Sequence, residues 1–403
     1  MTQSPLADHA RSYLQRLCVE IPARCVGSPG NRAATDFFAD TIASFGFTTE
    51  SPVFDCLDWT QQGATLDVGG QAFAALVSPY SLGCAVTAPF VAISTIGELE
   101  VAEVAQQIVV LQGDIAKEQL MPKNFVFYNP AEHQRIIRAL ESHRPCAIVA
   151  ATSRNPEMAG AVYPFPLIED GDFDIPSVYM TEEEGQRLIG RAGQTLSLEI
   201  RAQRKPAQGC NVIARKGAQS DRRVVLFAHI DAKQGTPGAL DNAVGITTLL
   251  LLAELLSDYD RDLGVEIVAL NGEDYYAAPG EMQYLQLNAG RFDNIVLGIN
   301  LDGLGYRAGR TAYSLYDCPP DLTDAIQGVF ATRSEFVAGE PWVQGDHGLF
   351  LMNQRPALAL TSERVYELLL NIVHTAHDQP EILDVNKLVE TAFALRAVLN
   401  CLV

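Results

Sequence analysis

His229 and Asp231 stand two positions apart, Asp241-Asn242 follows, and Glu273-Asp274 and Asp302 come further along the chain. Imidazoles and carboxylates are the side chains that bind divalent cations and move protons near neutral pH. Each group follows a short apolar run. Val224-Val225-Leu226-Phe227-Ala228 precedes His229, Val265 to Leu270 precedes Asn271-Gly272-Glu273-Asp274, and Ile295 to Leu301 precedes Asp302-Gly303. Runs of this length read as buried strands. In an open α/β sheet, the carboxyl ends of such strands border the ligand crevice. For any one Asp or Asn, capping a helix or closing a turn is the plain alternative. Taken together, carboxylates at one sheet edge repel unless a cation holds them. A set of His, Asp and Glu without Cys suits zinc, with manganese or cobalt as alternatives.

The elements that must position these residues can be read in order. Residues 7–19 show helical spacing of Ala10, Tyr13, Leu14 and Leu17. Gly27-Ser28-Pro29-Gly30-Asn31 is a turn, with Asn31 expected to cap a helix running to about Phe45 and ended by Gly46. From Asp58 to Arg204 short β-rich runs alternate with Gly, Pro and Asp. Within them, Pro130 to Glu141 predicts a helix, and Cys146 to Ala151 and Ile175 to Met180 predict strands. Thr181 is the expected N-cap of a short helix, with Glu184 as its capping-box partner. After Gly209 the texture changes to alternating strands and helices, the pattern of a layered α/β domain. Val244 to Leu256 is its most apolar helix, Pro356 to Leu360 a fourth core strand, and Asn386 to Val403 a closing amphipathic helix.

Composition narrows the partners. The 403 residues suffice for two domains, and 48% hydrophobic with 19% charged residues is the balance of a globular protein. Lys and Arg number 29 against 49 Asp and Glu, a formal charge of −20. That charge disfavours nucleic acid and anionic membrane surfaces as partners. The eight cysteines include no Cys-x-x-Cys pair and read as reduced, mostly buried thiols. The amino terminus has no basic and apolar leader pattern, and no run is long enough to span a bilayer, so a soluble cytoplasmic protein is expected.

His229-x-Asp231, Gly238-Ala239-Leu240-Asp241-Asn242, Gly272-Glu273-Asp274, Asp302-Gly303 and His374-Thr375-Ala376-His377-Asp378 occur in an order that resembles the zinc exopeptidases of metallopeptidase family 28. The resemblance covers about Gly209 to Val403 and the turn at Gly27. It implies a three-layer α/β/α domain with a mixed, mostly parallel central sheet, built from residues 1–57 and 205–403. Residues 58–204 resemble the protease-associated domain, a β-rich module inserted in several peptidase families. Carried over residue by residue, the family pattern implies two zinc ions, with His229 and Asp302 on one, Asp274 and His374 on the other, and Asp241 bridging both. Glu273 matches the general base and Asp231 the carboxylate that orients His229. A cis peptide is implied at Asp241-Asn242. His377 competes with His374, and the His-Thr-x-x-Asp pattern favours His374.

The implied activity is release of an amino-terminal residue from a peptide substrate. A carboxypeptidase or small-amide hydrolase on the same metals is the alternative, and a non-catalytic binding module a third reading that the complete ligand set disfavours. Two departures stand out: Asp274 where the family has Glu, and Gly280-Glu281 where it has Gly-Ser. His347 is expected to be structural, and His9, His133 and His143 solvated. Arg364 and Tyr366 could face either substrate or solvent. The sequence leaves the oligomeric state open.

Overall fold

The structure is a computed structural model and describes residues 3–21, 23–154, 163–217, 222–342 and 345–402. It divides into one compact unit of Met1–Cys56 with Ala207–Val403, and a second of Leu57–Pro206.

The first unit is built on eight strands: β1 (Thr48–Glu50), β2 (Val212–Lys216), β3 (Arg223–His229), β4 (Gly264–Leu270), β5 (Ile295–Leu301), β6 (Thr311–Tyr316), β7 (Phe336–Ala338) and β8 (Ala357–Ser362). Their spatial order is β1-β2-β4-β3-β5-β8-β6-β7. The central four, β4, β3, β5 and β8, run parallel. The flanks join antiparallel, β2 along β4 and β6 along β8. The sheet is therefore mixed, with a parallel centre. Every residue of β3 and β4 is buried, because both faces of a parallel block are covered. This is why those runs are apolar throughout rather than alternating.

Alternation decides what each face meets. Val224, Leu226 and Ala228, with Val265, Ile267 and Ala269, pack against α1 (Gln3–Leu14), α2 (Pro29–Ser44), α3 (Val244–Leu255), α5 (Pro320–Ala331) and α6 (Val385–Cys401). On the other face, Phe227 stacks on Phe350 at 4.9 Å. There α4 (Pro279–Leu287) sends the Tyr284 hydroxyl to Glu266 at 2.7 Å. Helix α3 is buried on all sides, held between the sheet and the outer helices α1 and α6. Among the described residues, no helix is long and apolar enough to cross a membrane.

Three expectations need correcting. Asn31 does not cap α2: Ser28 does, its Oγ accepting the Asn31 N–H at 3.0 Å, and Asn31 lies buried inside the first turn. Pro29 takes the first helical position, where its missing N–H costs nothing. His133 is not solvated. It shares the inner face of its helix, Ala131–His143, with Ile136, Ile137 and Leu140, and its Nδ1 accepts the Met121 N–H at 3.1 Å. Of the cysteines, all free, only Cys18 is fully buried.

In the second unit an eight-stranded sheet has the order Gln71–Phe73, Val53–Val68, Thr195–Cys210, Cys84–Ile93, Ile108–Leu111, Ala147–Thr152, Ser177–Thr181, Leu76–Val77. Its core joins Val109, Leu111, Ile148 and Ala150 to the apolar face of Ala131–His143. Thr181 Oγ1 accepts the Glu184 N–H at 3.2 Å and so caps Glu182–Ile189 as expected, but the Glu184 carboxylate pairs with Arg187 instead of closing a capping box.

Candidate metal centre

Strands β3, β4 and β5 all end at the same edge of the sheet, which places His229, Glu273-Asp274 and Asp302 together. His229 is the last residue of β3. Asp241 arrives on the turn before α3, where the Asp241-Asn242 peptide is cis. Asn242 holds that turn to β5: its Nδ2 donates to Leu301 O at 2.8 Å, and its Oδ1 accepts the Gly245 N–H at 3.0 Å. His374 comes from the loop after Val365–Asn371 and has a left-handed backbone (φ +61°), uncommon for a residue with a Cβ.

The Asp241 carboxylate lies between two imidazoles. Its Oδ1 is 2.9 Å from His229 Nε2 and its Oδ2 is 3.0 Å from His374 Nε2. His374 Nε2 is also 3.0 Å from Asp274 Oδ1, and His229 Nε2 is 3.8 Å from Asp302 Oδ1. One ligand atom each from His229, Asp241 and Asp274 falls within 4.8 Å of the others. The sequence-derived ligands thus come together, whereas His377 is exposed and makes no contact with this group among those described.

Asp231 departs in part from its expected task. Its Oδ1 lies 3.7 Å from His229 Nδ1, longer than a hydrogen bond. Its hydrogen bonds go to the backbone N–H of Gly272 at 2.8 Å and of Asp274 at 3.0 Å. It therefore anchors the loop after β4 to the end of β3, which fixes Glu273 and Asp274 relative to His229.

The charges show what the group is suited to hold. Burial works against charging His229, but Asp231, Asp241 and Asp302 outweigh it and push its pKa well up. At His374 burial is likewise outweighed, by Asp274 and Asp241. Asp241 is held well below the carboxylate range, since the two imidazoles outweigh its burial. Glu273 is pushed well up by burial, with His229 opposing and Asp274, Asp302 and Asp241 adding to it. His229 Nδ1 and Asp274 Oδ2 are buried without a hydrogen-bond partner. Imidazole nitrogens and carboxylate oxygens facing one another fit divalent cations of the zinc, manganese and cobalt type.

Several residues take a place in the site that the sequence did not assign to them. Arg24, 1% exposed, donates to Ile230 O, Pro237 O and Gly238 O, and so holds the segment between His229 and Asp241. Asn31 and Asn271 exchange side-chain hydrogen bonds at 2.8 and 3.0 Å, tying the amino-terminal turn to the end of β4. Glu281 and Asp346 are buried acids near the ligands. Burial and then Asp231 push Glu281 up to about 8, and burial and then Glu281 push Asp346 well up. His347 is buried between Tyr316 and Trp342, with Nε2 2.9 Å from Trp342 O, in keeping with a structural role. Arg364 pairs with Glu367 and Tyr366 is 60% exposed, so both lie at the surface.

A buried cluster of imidazoles and carboxylates at the carboxyl edge of the parallel centre of an α/β sheet is a candidate metal site. Residues 211–399 match the model described as Peptidase family M28. The chain is 26% identical over 299 residues to a probable lipoprotein aminopeptidase, LpqL, of Mycobacterium tuberculosis, covering 73% of this chain and 57% of LpqL. It spans less than two thirds of the length of the curated relatives it matches. Two solved structures share its fold. The aminopeptidase from Aneurinibacillus sp. strain AM-1 superposes with a TM-score of 0.75 at 21% identity, over 98% of this chain and 93% of that one. BSAP, a zinc aminopeptidase from Bacillus subtilis, gives 0.74 at 18% identity, over 98% and 94%.

Proposed function

We propose that the chain is a zinc aminopeptidase that uses two ions, held by His229 and Asp302 on one side, Asp274 and His374 on the other, with Asp241 between. The observation that carries this reading is the Asp241 carboxylate, each oxygen of which faces a different imidazole. When bound, the metal pair supplies Lewis acidity toward a peptide carbonyl and makes water acidic near neutral pH. Glu273, half-buried beside the ligands, takes a proton from the attacking water on its carboxylate and delivers it to the leaving amine nitrogen. Asp231 keeps Glu273 and Asp274 in place through the two N–H groups it accepts. The similar proteins are named as aminopeptidases, which supports an aminopeptidase over a carboxypeptidase. Residues 58–204 are proposed as a protease-associated-like module, on the order of their strands and helices.

The test is hydrolysis of a panel of aminoacyl amides against N-acetylated peptides, with and without a chelator. Chelator-sensitive release from the free amines alone is the expected result. Cleavage of the N-acetylated peptides from their carboxyl ends would point instead to a carboxypeptidase, and activity indifferent to the chelator would remove the metal mechanism.

A further inference from the structure

Asp378 is fully buried and lies four positions past His374. Its Oδ1 accepts the Leu240 N–H at 2.6 Å and its Oδ2 the Asp241 N–H at 3.0 Å. Its backbone carbonyl accepts a third, the Ala239 N–H, at 3.4 Å. Three successive N–H groups therefore converge on one residue, just after Gly238, whose left-handed backbone (φ 58°, ψ 48°) turns them inward. Such a run of amides is a ready anion site, and here a side chain of the protein fills it. On its carbonyl side the same segment is held by Arg24, which reaches Pro237 O and Gly238 O at 2.7 and 2.8 Å.

The consequence is geometric. The loop that carries His374 is tied, through Asp378, to the turn that carries Asp241, and the two ligands face each other at 3.0 Å. Displacing this acceptor would leave two buried N–H groups unpaired, which is costly, so the tie resists displacement.

We propose that Asp378 is a positioning residue that sets His374 against Asp241 and thereby the affinity of the His374 side of the site for its cation. This rests on the two-ion reading above. Asp241 is shared by both sides, but of the remaining ligands only His374 rides on the loop that Asp378 anchors, whereas His229 and Asp302 are carried by β3 and the end of β5. A residue that only closed a turn would affect the stability of the whole domain without favouring either side.

Asp378→Asn preserves size but sets an amide nitrogen against one of the two N–H donors. The metal-stripped full-length chain and this variant are titrated with Zn²⁺ against a chromophoric chelator, with circular dichroism and thermal melts on the same metal-free samples. Expected is a folded variant that keeps one zinc at the affinity of the unsubstituted chain and loses about 10–100-fold at the other. Two zinc ions bound as in the unsubstituted chain overturn the inference, as does equal weakening of both together with a lowered metal-free melt. If the unsubstituted chain binds no zinc, the two-ion reading itself fails. Should Asp378→Asn not fold, hydrogen exchange on the unsubstituted metal-free chain decides: protected Leu240 and Asp241 amides support the tie, and amides exchanging at unprotected rates overturn it.

Discussion

Glu273 and Asp274 are adjacent in sequence and have separate tasks in the proposed mechanism. Asp274 meets His374 at 3.0 Å, whereas Glu273 lies beside the ligands without contacting either imidazole among the contacts described. Glu273→Gln keeps the shape but cannot accept a proton. It is expected to retain both metals and to lower kcat by about 10²–10⁴-fold. Asp274→Asn weakens a ligand, so added zinc should restore part of its activity. Kinetics and metal content on the same preparations check both, and near-normal turnover in Glu273→Gln would exclude it as the base. Glu281 offers a pH test in the metal-free protein. Burial, and then Asp231, lift it from an ordinary 4.5 to about 8. The folded chain therefore binds a proton there that the unfolded chain has lost. The stability this contributes is complete below about pH 4.5 and disappears as the pH rises through about 8. Unfolding free energies from urea titrations of metal-free samples at pH 5 to 8 should fall less steeply in Glu281→Gln, by up to about 1.4 kcal/mol per pH unit.

Helix α3 and the two strands beneath it meet at Gly245. A Cβ added there would come within 2.5 Å of Leu301 O, 2.6 Å of Asn242 Oδ1 and 2.7 Å of Ala228 Cβ. Two of these are backbone or strand atoms that cannot yield, and the third is the side chain that holds the Asp241 turn. Gly245→Ala is expected to destabilise the metal-free domain by about 1–3 kcal/mol, the usual cost of overfilling a packed core. Because Asn242 is displaced, zinc affinity should fall as well. Thermal melts and a zinc titration measure the two effects, and an unchanged melt would show that the helix can slide. Every residue of α3 is buried, so no solvent-facing side can absorb a shift of the helix. The glycine therefore fixes its height over the sheet.

The first unit is discontinuous in sequence yet its two parts meet where the second begins. Gln208 Nε2 donates to Asp55 Oδ1 at 3.1 Å, so the chain leaves and re-enters at neighbouring points. Replacing residues 57–206 by a short Gly-Ser linker should cost little loop entropy, because closure cost grows only slowly with length. The shortened chain is expected to melt cooperatively and to bind zinc as the full chain does. Circular dichroism and a zinc titration give the answer, and an unfolded product would show that the first unit depends on the second.

The sequence by itself determined the central strands and the identity of the clustered side chains. Buried parallel strands must be apolar on both faces, so β3, β4, β5 and β8 stand out as unbroken runs, and the polar residues at their ends stand out by contrast. The short flanking strands β1, β6 and β7 gave no such signal, being half-exposed or only three residues long. The cap at Ser28 was misassigned to Asn31 because both residue types suit that position, and only packing against Asn271 draws Asn31 inside. His133 read as solvated because a helix-face position is visible only once its neighbours are placed. Motifs in the sequence include Glu281 and Asp378, but their contacts, like those of Arg24, were decided by tertiary structure. Each acts on backbone groups or charges distant in sequence, and spacing along a chain cannot encode a contact that exists only after the elements have packed.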